Sequence, residues 1–179
     1  MNREELARAI YDVAHLTGTF LLRSGITSHE YFDKYQFESD PRLLDAIARE
    51  LVSLVPADVE ILAGLELGGV PIATMMAQHS GKPAIFVRKK AKEYGTSKLA
   101  EGPSFEGKRV LIVEDVVTSG GQIILSAADL RGLGAVLVGA VCVIDREAGG
   151  AQKLEEHDID LKPLFTMSEL EAAAGEARA

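Results

Sequence analysis

Short apolar runs alternate along the chain with segments whose apolar positions recur at helical spacing. The runs predict strands at residues 59–65, 84–87, 110–113 and 136–144. The other segments predict helices at residues 70–79 and 121–133, within residues 3–16, and from Asp40-Pro41 towards Pro56. Strands and helices that alternate with short links are typical of an α/β fold, in which helices flank a mainly parallel central sheet.

The strand predicted at residues 110–113 ends in a distinctive group of polar residues. Glu114 and Asp115 follow it directly, and a Thr-Ser-Gly-Gly turn at residues 118–121 leads into a predicted helix. Clustered amides in such a turn, at the start of a helix, suit a phosphate group. Acidic residues beside a phosphate would repel it unless they hold sugar hydroxyls or a divalent cation. The pattern therefore predicts a site for a phosphorylated sugar, although the two carboxylates alone could simply cap the turn.

The composition is that of a single folded domain. The chain has 179 residues, of which 47% are hydrophobic, enough to bury a core. No apolar run approaches the roughly 20 residues that a membrane helix needs, and the polar N-terminus does not resemble a secretory signal. The single cysteine, Cys142, lies in the apolar run 136–144 and is expected in the core. We expect one domain over residues 1–179, located in the cytoplasm.

Charge is distributed unevenly along the chain. The net charge of −8 argues against nucleic acid as the main partner. Yet Arg88, Lys89, Lys90 and Lys92 place four cations within five residues. On an acidic protein such a cluster favours a small polyanion as the ligand, whereas a solvated surface is the usual fate of a charge run.

Unusual loops follow three of the predicted strands, at residues 66–69, 88–92 and 114–122. Because the carboxyl ends of parallel strands meet at one edge of a sheet, these loops are expected to converge on one ligand site. The longest link, residues 89–107, contains lysines, three glycines and few large apolar residues. Beside a ligand site it is expected to be a mobile catalytic loop, the alternative being a solvated loop without a role.

Residues 110–122 closely resemble the phosphoribosyl diphosphate motif of type I phosphoribosyltransferases, in which two acidic residues and a small-residue loop follow a hydrophobic strand. The resemblance implies that Glu114 and Asp115 hold the ribose hydroxyls and take part in catalysis. It also implies that the following loop binds the 5′-phosphate through its amides and hydroxyls. The residues of that loop are Val116, Val117, Thr118, Ser119, Gly120, Gly121 and Gln122.

The basic segment 86–95 is similar to that of the orotate phosphoribosyltransferases within this family. The similarity implies that Arg88 and Lys92 bind the diphosphate, with Lys92 acting in catalysis. It implies that Lys89 reaches the active site of a second subunit in a homodimer. Tyr94 stands where many members have histidine, and its phenol can still donate a hydrogen bond to a phosphate.

The N-terminal segment 19–33 reads by itself as a β-hairpin that turns near Ser24-Gly25. It is also similar to the family segment that covers the base, which implies a small N-terminal hood at about residues 18–38. By this resemblance Tyr31, Phe32 and Arg23 belong to the orotate pocket, although ordinary core packing would also explain the two aromatic residues. Many relatives have lysine where this chain has Arg23.

Arg146 closely follows the strand predicted at residues 136–144. The family match makes it the arginine that pairs with orotate, together with Thr118, and a guanidinium suits a planar carboxylate because it donates in a fork. The alternative is a salt bridge to Asp145 or Glu147. One departure from many bacterial relatives is Leu67-Gly68, which stands where they carry Tyr-Lys. There glycine permits a close backbone approach to the diphosphate.

Taken together, the resemblance covers about residues 18–168 and implies the type I phosphoribosyltransferase fold. The implied reaction joins orotate to phosphoribosyl diphosphate, which gives orotidine 5′-monophosphate and pyrophosphate. Mg²⁺ is expected as a cofactor that is held mainly through substrate and water, with no protein side chain as metal ligand. Two alternatives stay open: a purine-base phosphoribosyltransferase, which Arg146 and Tyr31-Phe32 disfavour, and a non-catalytic sensor of phosphoribosyl diphosphate. The sensor would need a nucleic-acid-binding surface that this acidic chain lacks.

Overall fold

A computed structural model describes residues 1–21, 25–90 and 99–175. Eight strands and seven helices lie within these residues. The strands are β1 (His15–Leu21), β2 (Thr27–Phe32), β3 (Ile61–Leu65), β4 (Ala84–Val87), β5 (Ala100–Glu101), β6 (Arg109–Val117), β7 (Val136–Asp145) and β8 (Leu161–Thr166). The helices are α1 (Arg3–Ala14), α2 (Tyr35–Ser39), α3 (Pro41–Ser53), α4 (Gly69–Ser80), α5 (Gly121–Gly132), α6 (Gly150–Glu155) and α7 (Met167–Ala173).

Six strands form the central sheet, in the order β5-β4-β3-β6-β7-β8. Neighbouring strands are parallel, except that β5 runs antiparallel to β4. The predicted α/β fold with a mainly parallel sheet is thus confirmed. The chain moves from β3 outwards to β4 and then returns to the other side of β3 with β6. The carboxyl ends of β3 and β6 therefore flank the point at which strand order reverses, where open α/β sheets bind ligands.

The sheet is covered on both faces. One core packs α1, α3, α4 and α7 against the sheet, and the other packs α5 and α6 against the opposite face. Alternate residues of β6 supply both cores: Leu111 and Val113 face the first, and Val110 and Ile112 face the second. An apolar run with no polar alternation is what a parallel strand buried on both faces requires.

The predicted start of α3 is confirmed in atomic detail. The Asp40 carboxylate accepts hydrogen bonds from the backbone N–H groups of Arg42 (2.8 Å) and Leu43 (3.1 Å). Pro41 follows in the first turn, where its missing N–H costs nothing. Cys142 is fully buried, and burial raises the pKa of its thiol well above the usual value, as expected for a core residue.

The end of β6 was predicted wrongly. The apolar pattern stops at Val113, but the strand continues to Val117, because its ladder with β7 persists as far as the pair Val117 and Asp145. Glu114 and Asp115 therefore lie inside the strand rather than in the loop after it. Backbone pairing, and not side-chain polarity, decides where this strand ends.

The N-terminal hairpin is confirmed as a separate two-stranded antiparallel sheet of β1 and β2. Residues 22–24 of the predicted turn lie outside the described residues. Behind the hairpin, the Phe32 ring lies 6.4 Å from that of Tyr11 in α1, so β2 is attached to the main core at its end.

Several short elements were not predicted: α2, β5, α6 and β8. Of these, β5 falls within the segment 89–107, and it pairs with β4 at the edge of the sheet. The backbone N–H of Arg88 also donates to the carbonyl of Leu99 (2.9 Å), so the two ends of the intervening segment meet. Residues 91–98 lie outside the described part. No helix among the described residues combines the length and apolarity needed to cross a membrane.

Candidate active site

The turn between β6 and α5 encloses a cavity of about 190 Å³, lined by Glu114 and by residues 116–123. Gly120 caps α5 with φ of 70°, in the left-handed region that favours glycine. A side chain there would also meet Leu154 of α6. The exposed Thr118 and Ser119 stand at the mouth of the cavity. Residues 116–122, predicted as a phosphate loop, are thus brought together at a helix N-terminus.

The connection from β7 to α6 packs against this turn. The backbone N–H of Arg146 donates to the carbonyl oxygen of Val117 (2.9 Å). A Cβ at Gly150, the first residue of α6, would lie only 2.6 Å from the carbonyl oxygen of Thr118. The absence of a side chain at Gly150 therefore lets α6 approach the turn closely, and Arg146 is fixed beside it.

Glu114 and Asp115 are neighbours near the end of β6, both are buried, and their side chains come within hydrogen-bond reach of each other. Glu114 lines the cavity by the turn, and its Oε1 accepts a hydrogen bond from the backbone N–H of Asp115 (3.0 Å). Asp115 is only 1% exposed, and its carboxylate contacts the Lys34 ammonium group and the backbone N–H of Val116. The two predicted ribose-binding carboxylates therefore have different surroundings.

Two buried carboxyls in this region hold their protons more tightly than usual. Burial, followed by the charge of Asp115, raises the pKa of Glu114 to about 8. The same two causes raise the pKa of Glu38, a buried residue of α2, to about 8. Burial lowers the pKa of Lys34, but its hydrogen bond to Asp115 and the charges of Asp115 and Glu114 raise it overall. Near neutral pH the Glu114 and Glu38 carboxyls are therefore mostly protonated, and Lys34 carries its positive charge.

The loop after β3 is joined to the end of β4. The Glu66 carboxylate accepts a hydrogen bond from the backbone N–H of Lys89 (3.1 Å), and its own N–H donates to the carbonyl of Val87 (2.9 Å). At Gly68 the expected close approach of the backbone to the diphosphate stays a prediction. The groups that lie against Gly68 are the Asp115 carboxylate, which a methyl group would overlap, and Glu38. Three loops at the carboxyl ends of the strands thus converge as predicted.

The basic segment is only partly described. The Arg88 guanidinium lies 3.7 Å from the Glu101 carboxylate of β5, and Lys89 and Lys90 are exposed. Lys92 and Tyr94, predicted to contact the diphosphate, lie outside the described residues. The roles assigned to Arg88, Lys89, Lys92 and Tyr94 stay predictions.

The predicted base-binding residues lie on the hairpin and at the end of β7. The guanidinium carbon of Arg146 lies 5.9 Å from the centroid of the Phe32 ring. Tyr31 is 45% exposed, and its ring lies 5.5 Å from that of Phe20 in β1, so core packing does not explain it. Arg23 lies outside the described residues. Phe32 and Arg146 are brought together, whereas Tyr31 belongs to the exposed part of the hairpin.

The carboxylates proposed as alternative partners of Arg146 contact other groups. Asp145 accepts a hydrogen bond from the backbone N–H of Glu147 (2.9 Å). The Glu147 carboxylate accepts two hydrogen bonds from Ser168, one from its backbone N–H (2.9 Å) and one from the Ser168 hydroxyl (2.5 Å). The Arg146 side chain is exposed and lies near the Phe32 ring, and its assignment to orotate stays a prediction.

Sequence reasoning missed Lys34 and Glu38. They are four residues apart, on either side of the buried Phe37, which is the spacing at which side chains share a helix face. That spacing could have indicated a helix before Asp40. Their contact with Asp115, 77 residues or more away in sequence, could not be read from the pattern.

The sequence matches the family described as the phosphoribosyl transferase domain over residues 36–167. The match spans well over half of the chain, so the chain belongs to the phosphoribosyltransferase family. An orotate phosphoribosyltransferase from Nocardioides is 52% identical over 168 residues, which cover 94% of each chain. Within the family, the chain belongs to the orotate phosphoribosyltransferases.

Solved structures agree with this assignment. The chain is similar to the Mycobacterium tuberculosis orotate phosphoribosyltransferase in complex with Fe(III) dicitrate, with 30% identity, a TM-score of 0.86 and coverage of 94% of this chain and 98% of that one. It is also similar to the same enzyme in complex with 5-phospho-α-D-ribosyl 1-diphosphate, with 29% identity, a TM-score of 0.81 and the same coverage. The similarity therefore extends over nearly the whole chain.

Proposed function

We propose that the chain transfers the ribose 5-phosphate group from phosphoribosyl diphosphate to orotate, giving orotidine 5′-monophosphate and pyrophosphate in pyrimidine (UMP) biosynthesis. The observation that carries the proposal is the hydrogen bond from the backbone N–H of Arg146 to the carbonyl of Val117. It sets a fork-shaped cation, suited to the carboxylate of an acidic base, directly beside a turn suited to phosphate. The names of the relatives support the same substrates.

The proposal assigns a role to each part of the site. The amides and hydroxyls of the turn, residues 116–122, bind the 5′-phosphate, and Glu114 and Asp115 hold the ribose hydroxyls. Arg146, Thr118 and the hood residues Tyr31, Phe32 and Arg23 bind orotate. Arg88 and Lys92 bind the diphosphate, and Lys92 assists its departure.

The chemistry needs stabilisation of charge more than a strong base. Orotate N1 can react as an anion, so no side chain has to remove a proton at the moment of transfer. Positive charge that develops at C1′ is stabilised by the carboxylates around the ribose, and the leaving diphosphate is stabilised by Arg88 and Lys92. Closure of the catalytic loop, residues 89–107, excludes water and suppresses hydrolysis.

Mg²⁺ is proposed as the cofactor. Among the described residues, no three His, Cys, Asp or Glu side chains are grouped so that they could hold a metal ion. In this proposal the ion is held through substrate oxygens and water, as Mg²⁺ commonly is. When bound, it would neutralise charge on the diphosphate.

The proposed enzyme is a homodimer in the cytoplasm. Lys89 would reach the active site of the second subunit, and its exposed side chain is compatible with that role. The single cysteine supports a reducing, intracellular location.

Pyrophosphate release measured with orotate, uracil, adenine, hypoxanthine and guanine in parallel tests the substrate. We expect turnover with orotate that depends on both phosphoribosyl diphosphate and Mg²⁺. Turnover of a purine without turnover of orotate would make the chain a purine-base phosphoribosyltransferase. Binding of phosphoribosyl diphosphate without turnover of any base would favour a sensor.

A further inference from the structure

A lysine and a glutamate of the short α2 segment lie against the acidic pair of β6. Lys34 precedes the first turn of α2, and its ammonium group forms an ion pair with the Asp115 carboxylate. Glu38, one helical turn later, is 6% exposed. Together with Glu114, this places three carboxyl groups and one ammonium group at the carboxyl end of β6.

The Glu38 carboxyl has an unusual environment. Its Oε1 is buried without a hydrogen-bond partner among the described residues, which is costly for a carboxylate. A protonated Glu38 is instead a donor, and the Asp115 carboxylate is close enough to accept its hydrogen bond. Protonation therefore gives Glu38 a partner, and it leaves one negative charge for Lys34 to balance.

Gly68 limits the space on the other side of Asp115. Its φ of −67° is open to any residue, so the backbone does not require glycine. A Cβ there would overlap the Asp115 carboxylate and lie 2.6 Å from Glu38 Oε1. The Asp115 carboxylate is therefore held between Lys34, Glu38 and the loop after β3.

We propose that Lys34 is a positioning residue for phosphoribosyl diphosphate binding: its ammonium group holds the Asp115 carboxylate against Gly68, with the Glu38 carboxyl beside it. This rests on the proposed function, in which Asp115 holds a ribose hydroxyl. Without Lys34, Asp115 would be a buried carboxylate beside two other carboxyls. It would take up a proton or move, and either change weakens its contact with the sugar.

The test compares Lys34→Met and Lys34→Arg with Lys108→Met. Lys108 makes the same kind of pair with Glu60 (2.9 Å) at the opposite end of the sheet, so its replacement is the matched control. Calorimetric titration with phosphoribosyl diphosphate and Mg²⁺, without a base, gives the affinity of each variant. Steady-state kinetics with orotate give KM for both substrates.

We expect Lys34→Met to weaken phosphoribosyl diphosphate binding at least about tenfold, or 1.4 kcal/mol, while KM for orotate changes little. Lys34→Arg should recover much of the loss, and Lys108→Met should show none. Unchanged or tighter binding in Lys34→Met would overturn the proposal, because Lys34 would then compete with the sugar or have no role. If that variant does not fold, Lys34→Gln, a neutral hydrogen-bond donor, decides by the same comparison.

The calorimetric arm separates this inference from the proposed function. A chain that binds phosphoribosyl diphosphate but does not turn over orotate would overturn the reaction and leave the Lys34 comparison valid. A chain that does not bind phosphoribosyl diphosphate would overturn both.

Glu38→Gln tests the neutral carboxyl, since glutamine keeps its size and donates to Asp115 as a protonated carboxyl does. The charged groups that face Glu38 are Asp33 and Lys34 from its own segment and Asp115 from β6.

Because burial raises the folded-state pKa of Glu38 from the ordinary 4.5 to about 8, the proton stabilises the folded chain. This contribution to stability is fully present below the unfolded-state pKa of 4.5. It is lost as the pH rises through the folded-state pKa of about 8.

Melting temperatures at about pH 6 and about pH 9 measure this loss. We expect a larger fall for the unmodified chain than for Glu38→Gln, and phosphoribosyl diphosphate binding near neutral pH that is close to normal in the variant. Equal falls in melting temperature, or a large loss of binding in Glu38→Gln, would show that an ionised Glu38 occupies the cluster and would contradict the proposed arrangement.

Discussion

The guanidinium carbon of Arg146 lies 5.9 Å from the centroid of the Phe32 ring, a distance at which a cation and an aromatic face attract each other. Arg146 directly follows β7 of the central sheet, and Phe32 ends β2 of the separate hairpin. The contact therefore fixes the hairpin over the end of the sheet, beside the turn that follows β6. It also orients a guanidinium that would otherwise be a mobile surface group.

Replacing Arg146 by lysine should impair orotate binding specifically. Lysine keeps the charge but loses the fork that pairs with a carboxylate, and a charged hydrogen bond contributes about 1.5–3 kcal/mol. We therefore expect kcat/KM for orotate to fall about tenfold to a hundredfold, with little change in the affinity for phosphoribosyl diphosphate. Steady-state kinetics with each substrate varied in turn measure both effects.

Arg49→Lys is the control for that experiment. Arg49 pairs with Asp45 (2.9 Å) on the exposed surface of α3, so the same chemical change occurs away from the site. Its kinetic constants should match those of the unmodified chain. A similar loss for both substrates in Arg146→Lys would mean that Arg146 acts on the fold of the site rather than on orotate.

A methyl group at Gly68 should damage both stability and substrate binding. It would overlap the Asp115 carboxylate, so the loop after β3 must move. Overpacking of this kind typically costs about 1–3 kcal/mol. Urea denaturation of Gly68→Ala measures the free energy of unfolding, and titration with phosphoribosyl diphosphate should show weaker binding.

Gly132→Ala is the matched control. No atom lies within 4 Å of a Cβ at Gly132, at the end of α5. Alanine is the better helix former, so this variant should be as stable as the unmodified chain or more stable by up to about 1 kcal/mol. A Gly68→Ala variant as stable as Gly132→Ala would contradict the tight packing of Asp115.

Most of the central sheet could be predicted because its strands are apolar on both faces, and because α1 and α3 carry apolar positions at helical spacing. The pattern failed where polar groups are buried. Glu114 and Asp115 extend β6, since β7 continues to pair with it, and no hydrophobicity pattern records that pairing. The two-residue β5 was missed for a related reason: it is held by pairing with β4 alone.

The candidate site was predictable where one continuous segment carries it, as at residues 114–122. Lys34 was not predictable, because its role depends on a contact with Asp115 that only the folded chain creates. At Gly68 the sequence predicted a close approach of the backbone to the diphosphate, and did not predict that a protein group lies against this glycine. That group is the Asp115 carboxylate.

Lys89→Ala and Lys92→Ala subunits should complement each other if active sites are shared across a dimer. Each variant is expected to be inactive alone, because every site then lacks one lysine. Random mixing yields half heterodimers, and each heterodimer contains one intact site of two. Mixtures should thus recover about a quarter of normal activity.

The mixing experiment requires proof that heterodimers form. Differently tagged chains, refolded together and purified over both tags, supply it. An inactive, verified heterodimer would show that Lys89 does not reach the second site, and a mixture of monomers would contradict the dimer itself.

The pH dependence of phosphoribosyl diphosphate use should reflect Glu114. Burial and the neighbouring Asp115 raise its pKa to about 8, so the carboxyl is mostly neutral at lower pH and ionised at higher pH. An ionised carboxylate accepts hydroxyl hydrogen bonds more strongly than a neutral carboxyl. The pH dependence of kcat/KM reports the pKa values of groups in the free enzyme. In the unmodified chain, kcat/KM for phosphoribosyl diphosphate should therefore rise as the pH passes through about 8.

Glu114→Gln removes the ionisation but keeps the size of the side chain. The ratio of kcat/KM between the unmodified chain and the variant cancels the titration of the substrate. We expect that ratio to be close to one at about pH 6 and to reach about tenfold at about pH 9. Tenfold is the magnitude of one charged hydrogen bond. A ratio that stays above one but does not change with pH would mean that Glu114 meets the ribose in the same protonation state throughout. A ratio of one at every pH would assign the hydroxyl contacts to Asp115 alone.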